Sequence, residues 1–375
     1  YRALSTEDSF GRNVAIGQDA LFAQNAGENA FNIAIGFETG KSVTTGVQNT
    51  LIGASAGDAL TTGARNVALG YAALSTEDGH GRNVALGYQA LTTQNAGADA
   101  YNIGVGFNAG QNITTGIQNT IVGGLAGDAI TIGRFNTVLG YQSLSANILT
   151  DRNTALGYGT LASLVGDGST NNQATYNVAI GHNAGNLITT GVTNTLIGSL
   201  SGDSITTGGN NVALGYASLS GDIAGADNVA IGFGAMSSTD NARANVAMGF
   251  NTLTALDYGS LTYSHNIAIG FEAGKLTTTA VRNIIIGGLA GDAITTGGNN
   301  VAIGYSSLGS QTIANTNVAI GDSAMATNVA ADRNVAVGHE ALFSMTASST
   351  ADHYNVAVGY NAGRSVTTGT DNTLI

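Results

Sequence analysis

The feature that most constrains this chain is a repeat. A five-residue core recurs from Asn13 to Asn372: Asn, then Val/Ile/Thr, usually Ala, then Ile/Leu/Val, then Gly. The first copies begin at Asn13, Asn32, Asn49, Asn66, Asn83 and Asn102, and close on Gly17, Gly36, Gly53, Gly70, Gly87 and Gly106. The 21 copies leave 20 intervals; fifteen are 17 residues long and the others are 19, 19, 24, 21 and 21. A fixed short period means stacked identical units, each completed by its neighbours. Seventeen residues are too few for a propeller blade or a helix pair. Helix is disfavoured by β-branched cores and by a Gly in each copy. A short strand, a Gly turn, a second short strand and a second turn fit the length. The expected fold is therefore all-β: a parallel β-solenoid, or β-roll, of about 21 coils running continuously through residues 1–375.

Composition agrees and removes other classes. The chain has 55 Gly, no Pro, no Cys and no Trp, and only 10% charged residues. Collagen needs Pro and a Gly at every third position. Without Cys there is no disulfide scaffold, thiolate zinc site or thiol nucleophile. A 43% apolar content argues against disorder. No apolar run is long enough to span a membrane as a helix. Two Lys, ten Arg and a net charge of −12 give no track for nucleic acid. Absence of Pro suits a stack in which each strand must donate to its neighbours.

A longer period lies above the short one. One coil type reads Tyr101-Asn102-Ile103-Gly104-Val105-Gly106-Phe107-Asn108-Ala109-Gly110 and then Thr114-Thr115-Gly116; super-repeats begin near residues 32, 102, 177, 266 and 355. The coil after it carries Gly57-Asp58 and Thr61-Thr62-Gly63, and two or three plainer coils follow. All five long intervals fall directly before the Tyr/Phe-Asn coil. Insertions locked to one phase read as surface loops on one side of a stack. Asn25, Asn95, Asn171, Tyr263 and Asp352 lie in them and are the candidate contacts with a receptor or glycan. The chain starts and stops inside a repeat, which suggests a window on a longer repetitive chain.

Each repeated residue has a stacking role. The Asn can form a ladder from coil to coil, and the Gly a turn or close approach. Aromatics such as Phe37, Tyr71, Tyr88 and Phe107 recur just past the motif Gly and suggest an aromatic column. Three successive apolar residues, as in Val14-Ala15-Ile16, imply that both faces of the strand are dry. The face lined by Ala15, Ala34, Ala68, Ala85 and Ala155 is expected to meet a second copy, with a trimer favoured. The competing arrangement is a monomer whose Ala face packs on its own turns.

These residues resemble a known class. Asn-Val-Ala-Ile-Gly with trailing Ala-Leu or Ala-Gly, spaced by Thr-Thr-Gly, is similar to head repeats of trimeric autotransporter adhesins. It is more similar still to repeat regions of bacterial and phage tail-fibre proteins that end in an intramolecular chaperone domain. The resemblance covers essentially the whole chain. It implies a left-handed, usually homotrimeric β-roll on a cell or virion surface.

Residues with chemical potential mostly have repeat explanations. His182 and His339 sit at the aromatic phase, His265 replaces Tyr101, and His80 and His353 form no metal-spaced pair on a strand. The acid pairs Glu7-Asp8 and Glu77-Asp78 are copies of each other, and adjacent strand residues point opposite ways, unlike the paired carboxylates of a glycosidase. Asp58, Asp128, Asp203 and Asp292 read as turn caps rather than a calcium set. Val165-Gly166-Asp167-Gly168-Ser169 only slightly resembles a calcium loop. The Arg before many motif Asn residues, such as Arg12, Arg82 and Arg333, suggests an ion pair or turn cap. No catalytic, cofactor or metal residue is expected. The expected role is the structural shaft of an extracellular, cell-surface or virion fibre with adhesive loops. Alternatives are a self-assembling filament or sheath without a ligand, an ice-binding solenoid built on pairs such as Thr44-Thr45, and a tailspike-like glycan hydrolase.

Overall fold

The computed structural model describes residues 2–7, 11–168, 172–347 and 350–375. Among them there is no helix. The chain divides into two compact units, Tyr1–Gly191 and Val192–Ile375. Each is a parallel β-solenoid in which one coil is one repeat. In the first unit the motif strands run from Val14–Ile16 to Val178–Ile180, and in the second from Thr195–Ile197 to Thr373–Leu374. Register is motif on motif: Val14 pairs with Ile33, Ala15 with Ala34 and Ile16 with Ile35.

Among the described residues, most coils carry one motif strand, three residues long except for Thr373–Leu374, not the two strands expected from the coil's length. Thr-Thr-Gly segments still bond from coil to coil, with Thr44 N–H donating to Thr61 O at 2.9 Å, but they form bends. Among the described residues, a further short strand forms only beside three of the inserted loops. There Thr150–Asp151 pairs with Gln173–Ala174, Asp240–Arg243 with Asp257–Tyr263, and Ala331–Asp332 with Ala351–Asp352.

The motif Asn ties neighbouring coils together. Main-chain N–H of Asn49 donates to Asn32 Oδ1 at 2.8 Å, and that of Asn66 to Asn49 Oδ1 at 2.9 Å. The Asn49 side-chain amide donates across the coil to Gly63 O at 2.9 Å. Side chain and main chain thus share the ladder, which satisfies polar groups in an interior too thin for water. The motif Gly answers a close approach. At Gly87 φ is +144°, and a Cβ there would stand 2.2 Å from the Gly106 carbonyl oxygen.

The orientation of the motif strand reverses the expectation. Ala34, Ala68, Ala85 and Ala155 are fully buried inside their own coil. The flanking residues point outward: Val14 is 44% and Ile16 58% exposed. The reason is volume. The same interior must take the apolar turn residues Leu21, Leu74 and Leu91, all fully buried, and a coil this thin has room for little beside them. Where the turn of a coil and that of the coil before it both carry Gly, the strand between them carries a large residue, as at Leu51 and Ile121. A Cβ on Gly40 would come within 2.7 Å of Leu51 Cδ1, and one on Gly110 within 3.1 Å of Ile121 Cδ1.

The residue before each motif Asn is left-handed, from Arg12 at φ 54° to Asp371 at φ 58°. L-residues pay roughly 1–2 kcal/mol for this conformation. The Asn ladder directly after it supplies an offsetting set of buried hydrogen bonds.

Candidate functional site

Three features remain once the stack itself is explained: an outward apolar surface, a set of Arg–aromatic groups at the insertions, and a polar column inside the coils.

The outward surface begins one residue past the motif Gly. In the first unit Tyr71, Tyr88 and Phe107 stack with centroids 5.3 Å apart, and Tyr141, Tyr158 and His182 form a second stack. In the second unit Tyr216, Phe233, Phe250 and Phe271 stack at 5.2–5.3 Å, and His339 stacks on Tyr360. The rings are about half exposed. Small residues interrupt them once per super-repeat, as Ala54, Gly124 and Gly288. Exposed Leu69, Leu139, Leu214 and Met248 stand two residues earlier on the strand.

The insertion coils pair an Arg with the aromatic residue of the following coil. Arg12 lies over Phe31, Arg82 over Tyr101, Arg152 over Tyr176 and Arg333 over Tyr354, with 5.4–5.8 Å from guanidinium carbon to ring centre. Arg82 also pairs with Asp99, and Arg333 with Asp352, whose carboxylate accepts a 3.0 Å bond from Tyr354 Oη–H. In the coil at Asn245 the preceding residue is Ala244, and Arg243 takes over, lying over Tyr263 at 5.5 Å. His265 stacks on that Tyr263 at 6.0 Å.

The five loop candidates therefore differ in surroundings. Asn25 is exposed and Asn95 half-buried; their main-chain N–H groups bond Thr44 O and Thr114 O at 2.9 Å. Tyr263 and Asp352 are exposed but engaged with Arg243 and Arg333. Asn171 lies outside the described residues, as do Tyr1, Asp8 and Ser169. Thr residues of the tempting pairs are also engaged. Thr61 Oγ1 donates to Asp78 O at 2.7 Å and Thr114 Oγ1 to Thr131 O at 3.2 Å, each one coil on. Asp58, Asp128 and Asp203 are half-buried turn residues whose carboxyl pKa values burial pushes up, against main-chain hydrogen bonds that lower them.

The interior polar column is the feature that sequence reading missed. Eleven residues after the motif Asn, the side chain points inward. Val43, Leu60, Ile113 and Ile130 fill this place in Thr-Thr-Gly coils. Plainer coils put Gln24, Glu77, Gln94, Asn147, Asp222, Gln311 and Asn328 there, all fully buried. Glu77, Asn147, Gln311 and Asn328 bond main-chain groups of the turn, and Gln24, Gln94 and Asp222 bond the next motif Asn. Gln24 Oε1 accepts from Asn32 Nδ2 at 2.8 Å, and Gln94 Oε1 from Asn102 Nδ2 at 2.6 Å. Alignment of this phase with Val43 and Leu60 was the available signal.

Two members of the column are acids. Asp222 accepts from Gly225 N–H at 2.7 Å, and desolvation by burial raises its pKa to about 7, with nearby Asp240 adding to the rise. Glu77 accepts from His80 N–H at 3.1 Å. Glu77, Asp78 and His80 bring one ligand-type atom each within 4.8 Å of one another. Asp78 is exposed, but Glu77 is inside the coil.

No known family, curated protein or solved structure matches this chain.

Proposed function

We propose that this chain is the structural shaft of an extracellular, cell-surface or virion fibre, in which copies of the chain cover one another's outward apolar surface as a trimer. The observation that carries the reading is the column of half-exposed rings and aliphatic residues on each unit. A fully buried aromatic side chain removes roughly 150–250 Å² from water. Six half-exposed rings in the first unit, Phe37, Tyr71, Tyr88, Phe107, Tyr141 and Tyr158, therefore leave roughly 600 Å² to bury. With the flanking Ile and Leu residues this reaches the scale of about 800 Å² per partner in a stable interface. It exceeds the patch a soluble monomer ordinarily leaves open. A second copy fits better than a glycan, because stacked rings present their edges and keep their faces for each other.

Sedimentation velocity on the full chain tests this. A trimer mass is expected, and Tyr88→Lys combined with Leu69→Lys should dissociate it while the β circular dichroism signal persists. A clean monomer for the unsubstituted chain sinks the assembly.

A second reading, a filament whose repeats serve length alone, is favoured by the Arg–aromatic–Asp groups. Their polar atoms already pair within the loops. Deleting residues 95–99 separates the two: unchanged adhesion to host cells supports the plain filament, and lost adhesion with an intact assembly supports contact through the loops. In both readings the chain is not an enzyme.

A further inference from the structure

The turn Glu77–His80 holds an anomaly that the stack does not explain. Glu77 is fully buried, and its Oε2 has no hydrogen-bond partner. His80 Nδ1 is likewise buried and without a hydrogen bond, standing 3.7 Å from Glu77 Oε1. Buried polar atoms of this kind are nearly always satisfied, and each exception calls for a cause.

The sister repeat shows what the same carboxylate does otherwise. Glu7 occupies the equivalent place, and there Asn13 Nδ2 donates to Glu7 Oε2 at 2.8 Å. In the Glu77 repeat the corresponding donor, Asn83 Nδ2, has no partner. The carboxylate has left the Asn and serves the turn that carries His80. In sequence the residue matching His80 is Phe10. The rearranged carboxylate thus coincides with the one acid-pair turn that contains an imidazole.

We propose that Glu77, Asp78 and His80 bind a divalent transition-metal ion of the zinc type. Two carboxylates and one imidazole suit Zn²⁺, whereas Ca²⁺ and Mg²⁺ favour all-oxygen sets. Ligand bonds of about 2.0–2.1 Å need donor atoms closer than 4.8 Å. Asp78 is the exposed member and can close the set by rotating its side chain. Glu77 is held by the His80 N–H bond, and the imidazole already stands close to it. Three protein ligands leave a position for water. Bound there, the ion gives Glu77 Oε2 and His80 Nδ1 the partners they lack and pins this turn of the coil.

The site needs one chain only, so its failure leaves the fibre reading untouched. Calorimetric titration of the full chain with ZnCl₂ tests it, with Co²⁺ absorption as a second readout. Saturation near a single equivalent is expected, without competition from Mg²⁺ or Ca²⁺. His80→Phe, which copies the sister repeat, and Asp78→Asn, which alters only an exposed side chain, should each weaken binding by at least about tenfold. His182→Phe should not. Absence of saturable Zn²⁺ binding overturns the proposal, and so does binding unchanged in Asp78→Asn and His80→Phe.

Discussion

Asp222 and Asn328 hold the same place in their coils and make the same bond. Asp222 Oδ1 accepts from Gly225 N–H at 2.7 Å, and Asn328 Oδ1 from Ala331 N–H at 2.9 Å. Both side chains are fully buried. The carboxylate and the amide are interchangeable as turn acceptors, but only the carboxylate carries a charge into the coil.

That difference makes stability depend on pH. Burial raises the Asp222 pKa to about 7 from 3.8, with Asp240 adding to the rise. The folded form therefore holds its proton more tightly than the unfolded chain. The stabilising contribution is complete below about pH 4, declines as pH rises, and is lost by about pH 7, up to about 4 kcal/mol in all. Asp222→Asn removes the titration and keeps the turn bond. It should melt like the unsubstituted chain near pH 4 and higher than it near pH 8. Equal melting at both pH values would show that Asp222 is not desolvated as described.

The motif Gly and the Gly that interrupts the aromatic column have different reasons to be Gly. A Cβ at Gly87 would stand 2.2 Å from the Gly106 carbonyl oxygen at φ +144°, while one at Gly124 would meet the Tyr141 ring at 3.4 Å. Gly87→Ala forces the two coils apart and should cost at least about 3 kcal/mol, from strain and lost ladder bonds together. Gly124→Ala asks only a slight shift of an exposed ring and should stay within about 0.5 kcal/mol. Denaturant melts of the two variants give the comparison.

The Asn ladder makes a local prediction. Asn119 Oδ1 accepts from Asn136 N–H at 3.0 Å, and Asn119 Nδ2 donates to Gly133 O at 2.9 Å, both buried. Asn119→Ala leaves both partners unsatisfied, at about 1–3 kcal/mol each. Hydrogen exchange at the Asn136 amide should accelerate sharply, with little change several coils away, because contacts in a stack are with neighbours.

The period, the parallel stacking and the need for Gly at the motif turn were legible in the sequence, since each rests on a repeated local constraint. The inward face of the strand was not. Val14, Ala15 and Ile16 are all apolar, and alternation cannot orient a run of three. Only the volume of Leu21 and its equivalents decides that the small Ala goes inside. Nor does the sequence mark the left-handed residue before each Asn. Gly is the usual sign of that conformation, but here Arg12, Tyr101 and Thr193 adopt it. The inward orientation of Gln24, Glu77 and Asp222 was not legible, because a polar residue in a turn ordinarily faces water. Their burial follows from the 17-residue phase they share with Val43 and Leu60.

The exchange of volume between strand and turn gives the last prediction. Leu51 lies between two Gly residues of the turn: a Cβ on Gly40 would meet Leu51 Cδ1 at 2.7 Å, and one on Gly57 would meet Leu51 Cδ2 at 2.9 Å. Leu51→Ala, at a fully buried site, should cost about 2–5 kcal/mol through lost burial and the cavity left behind. Gly40→Ala should also destabilise, because its Cβ meets Leu51 and its φ is +58°. Together they should cost less than their sum by about 1–2 kcal/mol, since the new methyl enters space that Leu51 vacated. Strictly additive costs would mean that the coil collapses around the missing side chain instead of holding its shape. That outcome would remove the volume argument for why Ala or Val faces inward where the turn carries Leu.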